Sequence, residues 1–389
     1  MSERFRRHPA ARVFDAANEV AASGPAGPAR PVLPATPSAP SLLSATDAQS
    51  FRIGGPAEAP ETLPDRPSFE TLTSGSTGQP RRILRSQASW TRSFAINAGL
   101  FGIGPGASVA VLGQLTQSLA LYGAMEGVHL GAAVHLLDAL RPDRQRAVLA
   151  ARGVEVIYAS PAQLRLLAGP GPQLTGLRLV IIGGSKLDAG LRAALQAMAP
   201  AADVREFYGA AEASFMTLSD AGTPDGSVGR AYPGVEIDLR GQGEIWVRSP
   251  YLFERYAGSD PGAAVWRKGW LTVGEVGAVR DGYLYLHGRA GRMVTVADQN
   301  VFPEAIEAFL MGLQGVAQAA VLPVPDAQRG VHLVAVLQGD AGREADVLAA
   351  ARREFGVLKA PRRVIWRVDW PVTASGKTDF TMLAKGLEA

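Results

Sequence analysis

Apolar runs alternate with helix-like stretches between residues 67 and about 215. Four runs are almost continuously apolar, as in strands buried on both faces: SVAVL (108–112), AVHLL (133–137), VEVIY (154–158) and RLVII (178–182). The helix-like stretches lie near residues 86–100, 117–130, 141–152, 161–168 and 187–198. Alternation of this kind predicts an α/β fold in which a parallel sheet is covered by helices on both faces.

Three loops rich in small residues are candidate ligand sites. Ligands of parallel sheets bind beyond the carboxyl ends of the strands, where GGSKLD (183–188) and YGAAEAS (208–214) are expected to lie. The segment TSGSTGQPRR (73–82) combines hydroxyls, glycines and two arginines. Its backbone N–H groups would form an anion cradle, and the arginines would add charge-assisted bonds. The spacing is not that of a Walker P-loop, and taken alone the segment fits a polar hairpin tip equally well.

The pattern changes after residue 228. Residues 235–250 and 276–288 alternate with period two around Gly and Asp-Gly turns, which predicts an antiparallel subdomain. A smaller α+β unit follows, with a helix at 303–313, strands at 316–322 and 331–338, a helix at 343–354 and a strand at 362–368. The predicted architecture is an α/β large N-terminal domain with a parallel sheet plus antiparallel subdomain, and a small mobile α+β C-terminal domain.

The predicted domain boundaries follow from these changes of pattern. Residues 1–66 are an N-terminal extension with a Pro-rich tether, 67–288 the large domain and 289–389 the small domain. The start, MSERFRRHPAARVF, is interpreted as a short surface helix. Residues 23–40 hold too many prolines for a helix or a central strand. Most of the ordered structure is therefore expected to begin near Pro67.

Composition excludes several classes of protein. The 39 Lys and Arg residues against 36 Asp and Glu leave a formal charge of only +3, so nucleic acid is not implied. The absence of cysteine excludes disulfides, thiolate metal sites and a thiol nucleophile on this chain. No run of 18 apolar residues and no signal-peptide core is present, so we expect a cytoplasmic protein without a membrane partner. The oligomeric state is left open, a homo-oligomer included.

Seven motifs occur in one order between about residues 68 and 385: TSGSTGQPRR, IIGGSKL, EFYGAAEAS, GEIWVRSPYLFERY, GWLTVGEVG, GRAGRMV with VFPEAIE, and TASGKTD. This series resembles the adenylate-forming superfamily of acyl- and aryl-CoA synthetases, peptide-synthetase adenylation domains and luciferases. The resemblance implies activation of a carboxylic acid by ATP to acyl-AMP with release of pyrophosphate. Transfer of the acyl group to a thiol, most often that of CoA, would follow. Since only about 70 residues precede the first motif, the N-terminal subdomain is expected to be much reduced.

The resemblance also implies a role for individual residues in binding ATP. The phosphate loop would be Thr73, Ser74, Gly75, Ser76, Thr77 and Gly78, with Arg81 or Arg82 where relatives often have lysine. The adenine pocket would be Gly183, Gly184 and Ser185, with Tyr208 as the stacking aromatic residue and Gly209 beside it. Glu275 replaces the aspartate that relatives use for the ribose hydroxyls. A core tyrosine remains the alternative for Tyr208.

Three residues are expected to carry the chemistry. Glu212 matches the magnesium-binding glutamate of the family, and a hard oxygen ligand suits Mg²⁺. Arg289 matches an arginine that contacts the nucleotide. Lys377 matches the mobile lysine that bridges the carboxylate and the α-phosphate, where a cation stabilises the charge on five-coordinate phosphorus. The alternatives are a helix N-terminal carboxylate for Glu212 and a surface lysine for Lys377.

Three departures from the family pattern keep other functions open. Gly291 replaces the acidic hinge residue, Ala297-Asp298 replaces a Gly-Gly pair common in relatives that use CoA, and the segment 113–123 lacks a common histidine. Transfer to a carrier protein or an amine, and a nucleotide-binding relative without turnover, therefore remain alternatives. The pocket for the acid is expected to favour a flat aryl or hydroxycinnamate-type acid slightly over an aliphatic one. Its predicted lining is Tyr158, Phe207, Ala210, Ala211, Ser214, Phe215 and Met216.

Overall fold

The structure is a computed structural model, in which helices and strands alternate between residues 88 and 210 and strands predominate between residues 214 and 301. It describes residues 3–16, 19–20, 32–33, 39–54, 61–63, 65–73, 81–258, 262, 264–296, 299–326, 330–372 and 378–388. The helices are α1 Ala39–Asp47, α2 Ala88–Phe101, α3 Ser118–Leu130, α4 Pro142–Ala151, α5 Pro161–Leu167, α6 Ala189–Met198, α7 Pro303–Met311, α8 Glu344–Lys359 and α9 Phe380–Glu388.

The strands fall into a first half that is largely parallel and a second half that is largely antiparallel. The first half is β1 Arg12–Phe14, β2 Glu19–Val20, β3 Val32–Leu33, β4 Ser50–Ile53, β5 Ser68–Leu72, β6 Arg82–Ser86, β7 Ser108–Val111, β8 Ala133–Leu136, β9 Val156–Ala159, β10 Leu179–Ile182 and β11 Asp203–Ala210. The second half is β12 Ser214–Leu218, β13 Ser227–Ala231, β14 Glu236–Arg240, β15 Glu244–Arg248, β16 Arg255–Tyr256, β17 Val265–Arg267, β18 Trp270–Thr272, β19 Glu275–Arg280, β20 Tyr283–Arg289, β21 Val294–Val296, β22 Gln299–Val301, β23 Val316–Asp326, β24 Gly330–Gly339 and β25 Arg363–Trp366.

One long sheet forms the centre of the large domain. Its strands β1, β8, β7, β9, β10 and β11 are parallel neighbours, and the sheet continues antiparallel through β12, β13, β20, β19, β15, β18 and β17. On β9, Val156 and Tyr158 face one hydrophobic core, whereas Ile157 and Ala159 face another. Helices α1, α2 and α3 contribute to the first core, and α4, α5 and α6 to the second. The predicted parallel sheet with helices on both faces is therefore confirmed, as is the antiparallel subdomain.

A second sheet, in the order β16, β6, β5, β4, β3, carries the base of the predicted phosphate loop. Strands β5 and β6 form a hairpin in which the Thr73 N–H donates to the Arg81 carbonyl at 2.8 Å. The Arg81 N–H donates in turn to Thr73 Oγ1 at 3.0 Å. Residues 74–80, between these two, lie outside the described residues.

The first residues are part of the fold, and the prediction of a surface helix there is wrong. Residues 3–11 contain no helix, and β1 extends the parallel sheet beside β8. Phe5 is buried, and its ring lies 5.2 Å from that of Phe69 and 5.9 Å from that of Phe94. Ordered structure thus begins well before Pro67, because these apolar contacts hold the segment against the large domain. Most of the predicted Pro-rich tether at 23–40 lies outside the described residues.

The C-terminal part is a small α+β unit with its own core. Strands β23 and β24 are antiparallel, β25 pairs parallel with β24, and α7 and α8 pack on the sheet around Leu310, Val321 and Leu337. Each helix and strand predicted between 303 and 368 is present. The boundary at residue 288 and the mobility of this unit stay predictions. In the described part of the chain, no helix is both long and apolar enough to cross a membrane.

Candidate active site

Tyr208, Glu275 and Arg289 meet at one place on the long sheet. Glu275 opens β19 and pairs with Arg289 at the end of β20. The Tyr208 hydroxyl donates to Glu275 Oε2, and Arg289 Nε lies 3.6 Å from Glu275 Oε1. Burial, and then the Glu275 carboxylate, raise the pKa of Tyr208 well above its usual value, so the phenol remains a donor.

Gly183 and Gly209 are needed for close packing around this cluster. A Cβ added to Gly183, just after β10, would lie 2.2 Å from the Phe207 ring. At Gly209, where β11 bulges, it would lie 1.9 Å from the Ser214 carbonyl oxygen. Gly184 has φ of +98°, and together with Ser185 it is exposed at the carboxyl edge of the sheet. The glycines allow the loop and the bulge to approach their neighbours without side chains between them.

Glu212 lies in the turn between β11 and β12 and is partly buried. Its Oε1 accepts a hydrogen bond from the Tyr256 hydroxyl at 2.9 Å, and its backbone carbonyl accepts from Phe253 N at 2.8 Å. Because strands flank this turn, the alternative of a helix N-terminal carboxylate is wrong. The Arg81 guanidinium lies 5.9 Å from the centre of the Tyr256 ring, so the base of the phosphate loop adjoins Glu212.

The two arginines after the phosphate loop have different surroundings. Arg82 donates to the carbonyls of Ile53 at 3.1 Å and Gly54 at 2.5 Å, and its Nε lies 3.5 Å from Glu70. It therefore links β6 to the end of β4 across the intervening strand β5, and it helps to neutralise a buried carboxylate on β5. Arg81, on the side of Tyr256, is the better candidate for a phosphate contact.

Arg85 is a site residue that the sequence reasoning missed. It is fully buried on β6 and donates to Ala211 O at 2.5 Å, to Ser214 Oγ at 2.6 Å and to the Tyr251 carbonyl. Ala211 and Ser214 flank the turn that carries Glu212. Burial lowers the pKa of Arg85 to about 9, an effect opposed by the charges of Glu212 and Glu254. The partners of Arg85 come from other segments, so the local sequence RILRS (82–86) gave no signal of its role.

The segment 113–123, which lacks the common histidine, reaches the phosphate-loop hairpin through Ser118. Ser118, at the start of α3, donates to the Leu72 carbonyl at 3.0 Å, which brings this helix to the end of β5. Residues 74–78, 297–298 and 377 lie outside the described residues, so their roles stay predictions. Within the described ranges, no group of three or more His, Asp or Glu side chains could hold a metal ion. Glu212 would therefore bind Mg²⁺ only together with ligands from outside this set, such as phosphate oxygens.

A large domain whose sheet is parallel in its first half and antiparallel in its second, followed by a small α+β unit, matches the fold of adenylate-forming enzymes. The sequence profile described as "AMP-binding enzyme" matches residues 10–257. The profile "AMP-binding enzyme C-terminal domain" matches residues 305–377. The chain belongs to the AMP-binding enzyme family.

Known relatives agree with this assignment. The uncharacterized acyl–CoA ligase YhfT of Bacillus subtilis is 32% identical over 344 residues, covering 85% of this chain and 70% of its own length. A 3-hydroxybenzoate–CoA ligase of Aromatoleum is 28% identical, covering 86% of this chain and 70% of its own length. ATP-bound MatB of Rhodopseudomonas palustris superposes with a TM-score of 0.72 at 25% identity, covering 86% of this chain and 70% of that one. The predicted class, an AMP-forming acid–CoA ligase, is confirmed.

Proposed function

We propose that this chain joins an aryl carboxylic acid to CoA in two steps at the site around Glu212 and Glu275. In the first step a carboxylate oxygen attacks the α-phosphorus of ATP, the bond to the bridging oxygen breaks, and pyrophosphate leaves. In the second step the CoA thiolate attacks the acyl carbon, and AMP leaves with the electron pair of the C–O bond. The observation that carries the proposal is the bonded cluster of Tyr208, Glu275 and Arg289 beside the turn of Glu212.

The contacts of the cluster support a role in holding the nucleotide. One oxygen of Glu275 accepts from Tyr208 and the other faces Arg289, so the carboxylate keeps lone pairs for ribose hydroxyls. Arg289 is about half exposed and can contact the nucleotide from the side of the small domain. The segment from Thr73 to Gly78, with Arg81, would hold the β- and γ-phosphates as pyrophosphate departs.

A magnesium ion fits Glu212. The carboxylate is a hard oxygen ligand. Tyr256 orients it by donating one hydrogen bond to Oε1, which leaves Oε2 for the ion. When bound, the ion would neutralise charge on the phosphates. Lys377 would supply a second positive charge at the α-phosphate.

The apolar surface beside the Glu212 turn and the names of the relatives support an aryl acid as the substrate and CoA as the acceptor. Phe207, Ala210 and Ala211 are partly exposed apolar residues beside the Glu212 turn, and a flat ring suits a wall of this kind. The 3-hydroxybenzoate–CoA ligase among the relatives acts on such an acid by name. CoA is preferred over a carrier protein or an amine because two of the relatives compared above, YhfT and the 3-hydroxybenzoate–CoA ligase, are named as CoA ligases.

Acid-dependent exchange of pyrophosphate into ATP tests the proposal. We expect exchange with an aryl acid in the presence of Mg²⁺, none without acid, and an acyl-CoA product when CoA is added. The benzoates and hydroxycinnamates should be compared with aliphatic acids at equal concentration. Binding of ATP without exchange for any acid would instead indicate a nucleotide-binding relative without turnover.

Changing Glu212 to Gln should raise the Mg²⁺ concentration needed for half-maximal adenylation and slow that step, because a neutral amide is a poorer ligand for this cation. The fold should persist, since the side chain is only partly buried. The measurement is a magnesium titration of pyrophosphate exchange. Glu236→Gln is the matched control, because Glu236 pairs with Arg248 on the exposed surface of β14. Magnesium titrations of Glu212→Gln that overlay those of the parent at equal rate would make Glu212 a structural residue.

Changing Gly291 to Pro should preserve one half-reaction and remove the other. Gly291 lies in a 3-10 turn, Ala290–Arg292, that joins the two parts of the chain, and a Cβ there would meet no atom within 4 Å. Proline fixes φ near −65°, which would restrict the turn to one of the two arrangements that the two steps require. The measurements are pyrophosphate exchange and, separately, thiolysis of acyl-AMP supplied ready-made. Gly291→Ala is the control, because it adds the Cβ without fixing φ. If Gly291→Pro changes the rates of both half-reactions by the same factor relative to the parent, a hinge at this position is contradicted.

A further inference from the structure

We infer that Tyr158, held by a buried carboxyl, forms a fixed floor that makes the acid pocket shallow, so that the enzyme takes single-ring aryl acids or short-chain acids and rejects long acyl chains. This inference rests on the proposed function and specifies the substrate class of the same site. The proposed floor lies on the side of the pocket that points away from Glu212, into the large domain.

The opening of the pocket is a small apolar surface next to the reacting groups. Leu119, Phe207, Ala210 and Ala211 are partly buried and pack against the main core while keeping part of their surface exposed. Ala211 adjoins Glu212 in the chain, and Leu119 follows Ser118, which contacts the end of β5. An acid whose carboxylate lies beside Glu212 would place its apolar part on this surface.

Behind this surface the space is filled by aromatic rings. The Phe207 ring lies 4.4 Å from that of Phe215, Phe215 lies 5.1 Å from Tyr122, and Tyr122 lies 6.2 Å from Tyr158. The last three are buried, and Tyr158 is only 1% exposed. Two of the side chains predicted to line the pocket, Tyr158 and Phe215, therefore form its bottom instead of an open wall.

The position of Tyr158 is set by a glycine on α3. A Cβ at Gly123 would lie 2.6 Å from the Tyr158 ring, so the ring rests directly on the helix backbone. Gly123 lies four residues after Leu119, and residues at this spacing share one face of a helix. The Tyr158 ring is thus one helical turn below the apolar opening. A larger residue at 123 would leave no room for it.

A hydrogen-bonded network keeps Tyr158 in this place. Its hydroxyl donates to the carboxyl group of Glu126, which also accepts from Asn97 Nδ2 at 2.8 Å and from Tyr122 at 3.4 Å. Asn97 Oδ1 accepts in turn from Tyr232 at 2.6 Å. Glu126 is fully buried, and burial raises its pKa to about 7 although these bonds oppose the shift.

The network gives the floor its rigidity. If Tyr158 turned aside to admit a longer acid, Glu126 would lose a partner where no water reaches it. Leaving a buried polar group without a hydrogen-bond partner has a cost in free energy. A long chain would have to meet that cost and also displace the ring from Gly123, so a compact acid is favoured.

The first test uses the unchanged enzyme. The kcat/KM for pyrophosphate exchange is measured for benzoate, 4-hydroxycinnamate, hexanoate, decanoate and palmitate. We expect benzoate or hexanoate to exceed decanoate by about 10-fold or more, the scale on which a closed pocket discriminates methylenes. A kcat/KM that rises through decanoate to palmitate would overturn the inference while supporting the proposed function. The absence of exchange with every acid would count against the proposed function and, with it, against this inference.

The second test removes the floor. Tyr158→Ala should raise kcat/KM for decanoate about 10-fold relative to benzoate, because the space of the ring becomes available to the chain. Tyr283→Ala, which removes a tyrosine that stacks with Arg230 away from this site, is the matched control and should leave the acid profile unchanged. A folded Tyr158→Ala variant with the acid profile of the parent would overturn the inference. If that variant does not fold, Tyr158→Phe with Glu126→Gln keeps the ring and frees it from the network, and the same shift toward decanoate is expected to a smaller degree.

Discussion

Changing Lys377 to Ala is expected to slow adenylate formation by about 10² to 10³, or roughly 3–4 kcal/mol of transition-state stabilisation. The reason is the loss of a positive charge at the α-phosphate when the carboxylate attacks. The role of Lys377 comes from the TASGKTD motif, since residue 377 lies outside the described residues. The measurement is single-turnover formation of acyl-AMP with the preferred acid.

The control for this prediction is a comparison of the two half-reactions. Thiolysis of ready-made acyl-AMP should proceed at nearly the parent rate, because that step needs no cation at the α-phosphate. Lys385→Ala, which removes an exposed lysine from α9, should change neither step. Equal losses of both half-reactions in Lys377→Ala would contradict the assigned role.

Changing Arg85 to Met is expected to lower the free energy of unfolding by about 3 kcal/mol or more, because three acceptors lose a charged donor and each such loss costs about 1–3 kcal/mol. The substitution leaves the Ala211 and Tyr251 carbonyls and the Ser214 hydroxyl without their charged donor. The measurement is urea unfolding followed by circular dichroism. Arg66→Met is the matched control, since the exposed ion pair of Arg66 with Glu254 is expected to contribute about 1 kcal/mol or less.

A second variant separates stability from positioning at Arg85. Arg85→Lys keeps the charge but has a single nitrogen in place of the two Nη atoms, which bond Ala211 on one side and Ser214 and Tyr251 on the other. If Arg85 positions the Glu212 turn, this variant should need more Mg²⁺ for adenylation even at temperatures where it is fully folded. An unchanged magnesium titration in folded Arg85→Lys would limit Arg85 to a structural role.

Much of the fold was predictable because its signals are local. The runs that became β7 to β10 are apolar on both faces, and the stretches that became α2 to α6 have helical length and spacing. The antiparallel hairpins follow Gly and Asp-Gly turns, which determine where such a chain reverses. The N-terminal segment was misjudged because the burial of Phe5 depends on rings at Phe69 and Phe94, which are distant in sequence.

The candidate site also contains residues that the sequence revealed and one that it did not. The motifs around Tyr208, Glu275 and Arg289 were found from their order along the chain, and the structure brings these three side chains into contact. Arg85 was missed, since the three groups it bonds come from the β11–β12 turn and from Tyr251. No spacing within a single segment could indicate that arrangement.

The depth of the acid pocket belongs wholly to the tertiary structure. From the sequence, Tyr158 and Phe215 were predicted to be part of the pocket lining, and Glu126 carried no signal of a role there. In the fold, Gly123 and Glu126 on α3 fix the Tyr158 ring, which extends from β9.

The sequence by itself therefore determined the family, the order of its secondary-structure elements and the class of reaction, because motifs and hydrophobic periods are properties of short segments. Only the tertiary structure decided which arginine joins the phosphate-loop hairpin to the Glu212 turn and which tyrosine closes the pocket. Those properties depend on side chains from separate elements that meet when the sheet and its helices pack, and the energy of such contacts comes from burial and hydrogen bonding across the fold.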